Sequence, residues 1–92
     1  MLDSKIYLRK RFYRERHANG QVALVCDEEQ GHFKELSIAH DKIKLGRDEI
    51  ILKDFSGDLE LTEYLSKTGI ISQTDRFVLI GSHVCPICKV LV

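Results

Sequence analysis

Cys85-Pro86-Ile87-Cys88 has the clearest chemical spacing in the chain. A CxxC pair sets two thiolates at a separation that suits one tetrahedral zinc, and such a site needs four ligands. Cys26 and His83 would complete a three-cysteine, one-histidine set if Cys26 lies on a neighbouring strand; His17, His32 and His40 are the remaining histidines. A redox role fits less well. Thioredoxin-like CxxC opens a helix whose N-terminus lowers the thiol pKa, whereas only Lys89 to Val92 follow here. The plainer reading, and the favoured one, is an apolar strand over Val84, Cys85, Ile87, Val90 and Val92 with cysteine as a small hydrophobe. On that reading no cofactor is expected, with zinc as the alternative.

The second constellation is Arg9-Lys10-Arg11-Phe12-Tyr13-Arg14-Glu15-Arg16-His17. Arginine pairs bidentately with phosphate or carboxylate and stacks on flat rings, and RNA-binding surfaces combine the same residue types. Arg9, Lys10, Arg11, Tyr13, Arg14 and Arg16 are therefore candidate partner-binding or RNA-binding residues. The competing reading is a charged solvent face that protects a strand edge. Asp27-Glu28-Glu29 lacks the spacing of an EF-hand loop. It reads as a solvated turn or, opposite a basic partner, as an acidic face that mimics DNA. Asp54, Asp58, Glu60 and Glu63 sit where carboxylates favour a helix start. The chain has no phosphate-cradling glycine loop, no G-x-S-x-G and no H-E-x-x-H.

These groups need elements to hold them. Ile6, Leu8 and Phe12 alternate with Lys5, Tyr7, Arg9, Arg11 and Tyr13, which predicts a strand with an apolar and a basic-aromatic face. Asn19-Gly20 is a hairpin signal, and Val22 to Cys26 reads as the returning strand. With Asn19 and Gly20 as a two-residue turn, Tyr13 would face Cys26 and Arg14 would face Val25. A bulge or longer loop would shift that register. His32 to Ala39 predicts a third strand, Asp41 to Asp48 a loop turning at Gly46, and Glu49 to Phe55 a buried strand. Ser56, Gly57 or Asp58 would cap a helix over about 58–68, with Leu61, Tyr64, Leu65 and Thr68 on one face and Gly69 just past its end. Ile70-Ile71 starts a short extended piece. Phe77 to Ile80 and Val84 to Val92 form two last strands about Gly81-Ser82. The expectation is an α+β fold: a mainly antiparallel sheet of about five or six strands with one helix on one face.

Ninety-two residues, 43% hydrophobic and 30% charged, make one domain spanning 1–92. A chain this short buries about 60–65% of its unfolded surface, enough for one core and too little for an enclosed catalytic pocket, so no enzyme is expected. No apolar run approaches the roughly 20 residues of a membrane helix, and Met1 to Lys5 has no apolar signal region. Three cysteines do not make a disulfide scaffold. A cytoplasmic protein without membrane contact is expected. The net charge is zero but unevenly laid out. Residues 1–17 carry six basic and two acidic groups, residues 18–64 five and eleven, and residues 65–92 three and one. The acidic middle would repel bulk nucleic acid, so binding to free DNA is not expected.

Two stretches carry a likeness. Ala18-Asn19-Gly20-Gln21-Val22-Ala23-Leu24 leads into the acidic turn. Ile50-Ile51-Leu52-Lys53-Asp54-Phe55-Ser56 precedes the helix ending in Thr68-Gly69-Ile70-Ile71, and the chain closes on Val84 to Val90. Together they resemble a family of small proteins carried by phages, plasmids and integrating elements, with Gly57-Asp58 replacing that family's glutamate-asparagine. The likeness brings no catalytic residues. In size and style the chain is also similar to phage anti-CRISPR proteins, a resemblance of class. It implies a stoichiometric inhibitor of a type I CRISPR surveillance ribonucleoprotein that blocks target DNA binding, with Cas protein subunits and guide RNA as partners. On that expectation, changing Arg11, Arg14 and Arg16 together to Glu abolishes binding and keeps the fold. The alternative is a zinc-stabilised or metal-free adaptor for another host or phage protein.

Overall fold

The computed structural model describes residues 11–27, 33–54 and 59–92. Along the chain lie β1 (Phe12–Arg16), β2 (Val22–Asp27), β3 (Phe33–Glu35), β4 (Ser37–Ile38), β5 (Glu49–Leu52), α1 (Glu60–Lys67), β6 (Ile71–Ile80) and β7 (His83–Val90). The strands form a three-stranded sheet ordered β1-β2-β3 and a four-stranded sheet ordered β4-β5-β7-β6, antiparallel throughout. The fold is α+β, as expected. The strand count is corrected to seven among the described residues, in two sheets rather than one.

The extra strand arises at Leu36. The expected strand over 32–39, whose His32 lies outside the described residues, changes partner there: Glu35 pairs with Val25 in β2, whereas Ser37 pairs with Leu52 in β5. Leu36 belongs to both sides, since its N–H donates to the Leu24 carbonyl (2.8 Å) and its own carbonyl accepts the Lys53 N–H (2.8 Å). Past this switch the Leu24 N–H donates to the Ser37 hydroxyl oxygen at 3.0 Å. That bond explains a fully buried serine, because an unmatched N–H in the core would cost about 1–3 kcal/mol.

The β1–β2 hairpin turns on three residues rather than two. The His17 N–H donates to the Gln21 carbonyl (2.8 Å) and the Gly20 N–H to the His17 carbonyl (2.9 Å), with Gly20 at φ +89°. Three-residue hairpin loops end in such a left-handed position, and glycine adopts it without a Cβ clash. The odd loop moves the register by one, so Tyr13 faces Val25 and Arg14 faces Leu24. The β6–β7 hairpin does close on two residues, Gly81 and Ser82, with Ile80 opposite His83. β6 starts at Ile71, which joins the expected short piece to the expected strand from Phe77. The joint is a bulge between Gln73 and Arg76, where Asp75 sits at φ +66° and the Thr74 hydroxyl donates to the Ile87 carbonyl (2.6 Å). Pro86 is tolerated in β7 because β5 pairs only with Ile87 to Lys89. On that side the proline lies beyond the ladder, where a missing N–H costs nothing.

Helix α1 buries Leu61, Thr62 and Leu65. Ser56, Gly57 and Asp58 lie outside the described residues. Leu59 occupies the N-cap position in the left-handed region and gives no side-chain cap bond. Asp54 takes over that role from the end of β5: its carboxylate accepts the Thr62 N–H (2.8 Å) and hydroxyl (2.6 Å). The helix ends as expected at Gly69, φ +79°. Its N–H reaches the Ser66 carbonyl (3.2 Å) and the Ile70 N–H the Leu65 carbonyl (2.9 Å), the paired bonds of a Schellman motif.

The core has two parts. On one side of the four-stranded sheet Ile50, Leu52, Ile71, Cys88 and Val90 pack with Leu61 and Leu65 of the helix and with Val22, Leu24 and Cys26 of β2. On the other side Ile51, Cys85 and Ile87 are covered by Ile43 and Leu45 of the 39–48 loop, with Ile38, Val78 and Ile80 alongside.

Candidate functional site

Cross-strand partners share a face of the sheet, and this splits the basic run. Phe12, Arg14 and Arg16 share the face of Cys26, Leu24 and Val22, while Tyr13 shares that of Val25 and Glu35. Arg9 and Lys10 lie outside the described residues, as do Glu28 and Glu29 of the expected acidic face. Arg11 is exposed, and its N–H donates to the Asp27 carboxylate at 2.7 Å. Asp27 thus helps to hold the end of the hairpin. Tyr13 stands edge-on to Phe33, ring centres 6.1 Å apart. The Arg16 guanidinium donates to the Gly20 carbonyl (2.9 Å) and braces the turn.

Arg14 is occupied within the chain. Its guanidinium bonds Asp48 (2.6 Å) and the carbonyls of Val92 (3.1 Å) and Val90 (3.2 Å), fastening β1 to the end of β7. This guanidinium holds the Asp48 carboxyl below its ordinary range. Changing Arg11, Arg14 and Arg16 together therefore opens a structural clasp as well as any binding surface, and the three arginines are not equivalent.

The expected zinc ligands are not brought together. Residues three apart on a strand point to opposite faces. Cys85 accordingly packs with Ile51 and Ile87 on the loop side, whereas Cys88 packs with Ile50 and Leu65 on the helix side. Cys26 joins Cys88 in the helix-side core, and His83 is exposed beside the β6–β7 turn. Among the described residues no three His, Cys, Asp or Glu side chains are grouped to hold a metal. All three cysteines are buried. Burial, with Asp54 adding to it, pushes the Cys88 thiol up to about 12 and the Cys85 thiol upward too. Both behave as small apolar side chains.

The structure also aligns three residues that sequence reading did not connect. His17 Nε2 shares a hydrogen bond with Ser37 Oγ (2.9 Å), and its Nδ1 lies 4.0 Å from Glu35. The order is that of a serine–histidine–carboxylate triad. The serine has no exposed surface, and its oxygen is engaged by the Leu24 N–H. A nucleophile must reach substrate, so Ser37 and His17 serve as an inner joint, with Glu35 exposed beside it. Gln21, also unforeseen, ties the hairpin to the 39–48 loop. Its Nε2 donates to the carbonyls of His40 and Ile43 (3.0 Å each), while its Oε1 accepts the His40 N–H (2.8 Å) and Asn19 Nδ2 (3.0 Å).

One surface stands out for what it leaves uncovered. At the tip of the β6–β7 hairpin Leu79 opposes Val84 and Phe77 opposes Pro86. Leu79 is 68% exposed, Val84 60% and Phe77 48%. Among the described residues β6 forms the outer edge of its sheet. Apolar strips of this kind mark interaction surfaces, and open edges accept further strands. No helix among the described residues is long and apolar enough to cross a membrane. Compared with known protein families, with curated proteins and with solved structures, the chain matches none of them.

Proposed function

We propose that the protein acts by stoichiometric binding, as a phage-type anti-CRISPR inhibitor that seats on a type I surveillance ribonucleoprotein and blocks target DNA binding. The observation that carries the binding part is the strip of Phe77, Leu79 and Val84 at the β6–β7 hairpin, whose β6 is the sheet edge among the described residues. This strip takes the apolar surface of a Cas protein subunit. The class resemblance and the uneven charge supply the CRISPR part, with Arg11 and Arg16 directed to guide RNA and Asp27 to a lysine-lined channel. The protein needs no catalytic residue or cofactor to act this way.

The test is gel filtration with type I surveillance complexes loaded with guide RNA. Co-elution is expected, together with loss of target DNA binding, and Leu79→Asp with Val84→Asp should abolish both. Free elution of the wild-type protein from every such complex overturns the CRISPR reading. The same strip favours a second reading, a metal-free adaptor seated on another host or phage protein. It asks nothing of the arginines, so full partner binding by Arg11→Glu with Arg16→Glu selects it.

A further inference from the structure

The β1–β2 turn and the 45–47 segment flank an open cleft of about 330 Å³, lined by Arg16, Asn19, Gln21, Val22, Leu45 and Arg47 among others. We infer that this cleft is a binding site for a phosphate group, held between the guanidiniums of Arg16 and Arg47. The inference does not depend on the partner proposed above.

Charge bookkeeping around the cleft supports it. Three carboxylates lie nearby, on Asp41, Asp48 and Glu49; the last two are paired with cations outside the cleft, and Asp41 keeps its charge. Asp48 is bonded by Arg14, Glu49 by Arg76 and by the Gly46 N–H, and Asp41 by the side chain of Asn19 at 2.7 Å. Neither cleft arginine hydrogen-bonds any of these three carboxylates, although the charge of Arg47 helps to hold the Asp48 carboxyl low. Arg16 uses one nitrogen on the Gly20 carbonyl, which fixes the guanidinium at the rim while its other N–H groups stay available. Arg47 is exposed. Planar forks of this kind match phosphate oxygens bidentately. Val22 and Leu45 give the cleft an apolar part, and its volume falls in the range of small-ligand sites.

The walls are built to stay in place. Gln21 is saturated by four hydrogen bonds, and the Glu49 carboxylate closes the 46–49 turn onto the Gly46 N–H at 2.7 Å. A Cβ at Gly46 would meet that carboxylate oxygen at 2.9 Å and push the Glu49 side chain aside. Asn19 and Gln21 are consumed in holding the loop, which leaves the arginines as the donors for an incoming anion.

Titration with inorganic phosphate, followed by NMR at the backbone amides of Gly20, Gly46 and Arg47 and the side-chain Nε–H of Arg16 and Arg47, tests the site. Saturable shifts confined to these groups are expected. Arg47→Ala should weaken the affinity about tenfold or more, as expected for losing hydrogen bonds to a charged group. It should leave the remaining spectrum in place because the side chain is exposed. Lys67→Ala, at the end of α1, should change nothing. A short single-stranded RNA added in the same way separates the sources of the phosphate. Tighter, salt-sensitive binding at the same residues indicates a polynucleotide backbone, and saturation by inorganic phosphate alone indicates a small phosphorylated ligand. Shifts that stay linear with phosphate, spread over all basic residues or survive Arg47→Ala overturn the proposal.

Discussion

The two faces of the four-stranded sheet are closed by unlike covers. One carries a helix with an amphipathic stripe, a distant carboxylate at its start and a glycine stop at its end. The other carries an irregular loop that contributes only Ile43 and Leu45 to the core. A helix brings its own backbone hydrogen bonds, whereas a loop must find partners for its carbonyls elsewhere. Here Gln21 supplies them from the neighbouring hairpin. A cover without regular structure can thus be held over an apolar face by side chains of a neighbouring hairpin, Gln21 on its carbonyls with Asn19 on Asp41 and Arg14 on Asp48.

Four measurements would break or sharpen that contrast. The largest effect belongs to the helix side. Leu65 is fully buried, and Leu65→Ala should cost about 2–5 kcal/mol in urea unfolding. Next comes the distant cap: Asp54→Ala leaves the buried Thr62 N–H and hydroxyl without that acceptor and should cost about 1–3 kcal/mol. On the loop side Gln21→Ala should cost about 1 kcal/mol globally, because water reaches the half-buried groups it frees. Its sharper signature is local. The His40 amide, whose acceptor is Gln21, should exchange with solvent much faster while amides of β7 stay protected. If both faces lost protection together, the loop would be as integral to the fold as the helix.

The smallest effect is on acid stability. Arg14 holds the Asp48 carboxyl low, and Arg76, then the Gly46 N–H, do the same for Glu49. A carboxyl lowered in the folded state contributes stability that is fully present above its ordinary pKa and is lost as pH falls through the folded value. The denaturation midpoint should therefore fall as pH drops below the ordinary values of 3.8 for Asp48 and 4.5 for Glu49. Arg14→Gln and Arg76→Gln should each flatten that fall. The effect stays modest because these pairs meet solvent.

Much of the element order was legible because it rests on local signals. Alternation, the Asn19-Gly20 turn, helical spacing at Leu61 and Leu65 and the stop at Gly69 are properties of neighbouring residues. What escaped depends on distant partners. The hairpin register shifted by one because a third loop residue, Ala18, leaves the strand pattern unchanged. The strand over 32–39 split because Leu36 meets two sheets at once, which no local pattern records. The CxxC spacing suggested a shared metal, but spacing acquires geometry only from its element. A strand sends those two thiols apart. The basic run looked uniform in sequence, yet register puts Arg14 under the end of β7 while Arg16 braces a turn. Arg47 was hidden in the opposite way, averaged into an acidic middle whose neighbouring carboxylates are bonded elsewhere in the fold.

The Arg14 clasp joins groups 76 and 78 positions apart in sequence. Contacts of such separation form after the hairpins and the helix have closed their shorter loops. Interactions made after the transition state leave the folding rate almost untouched and act on escape from the native state. In a chevron plot Arg14→Ala would lift the unfolding limb and leave the refolding limb where it was. The clasp governs how long a folded molecule lasts, a property distinct from its equilibrium stability.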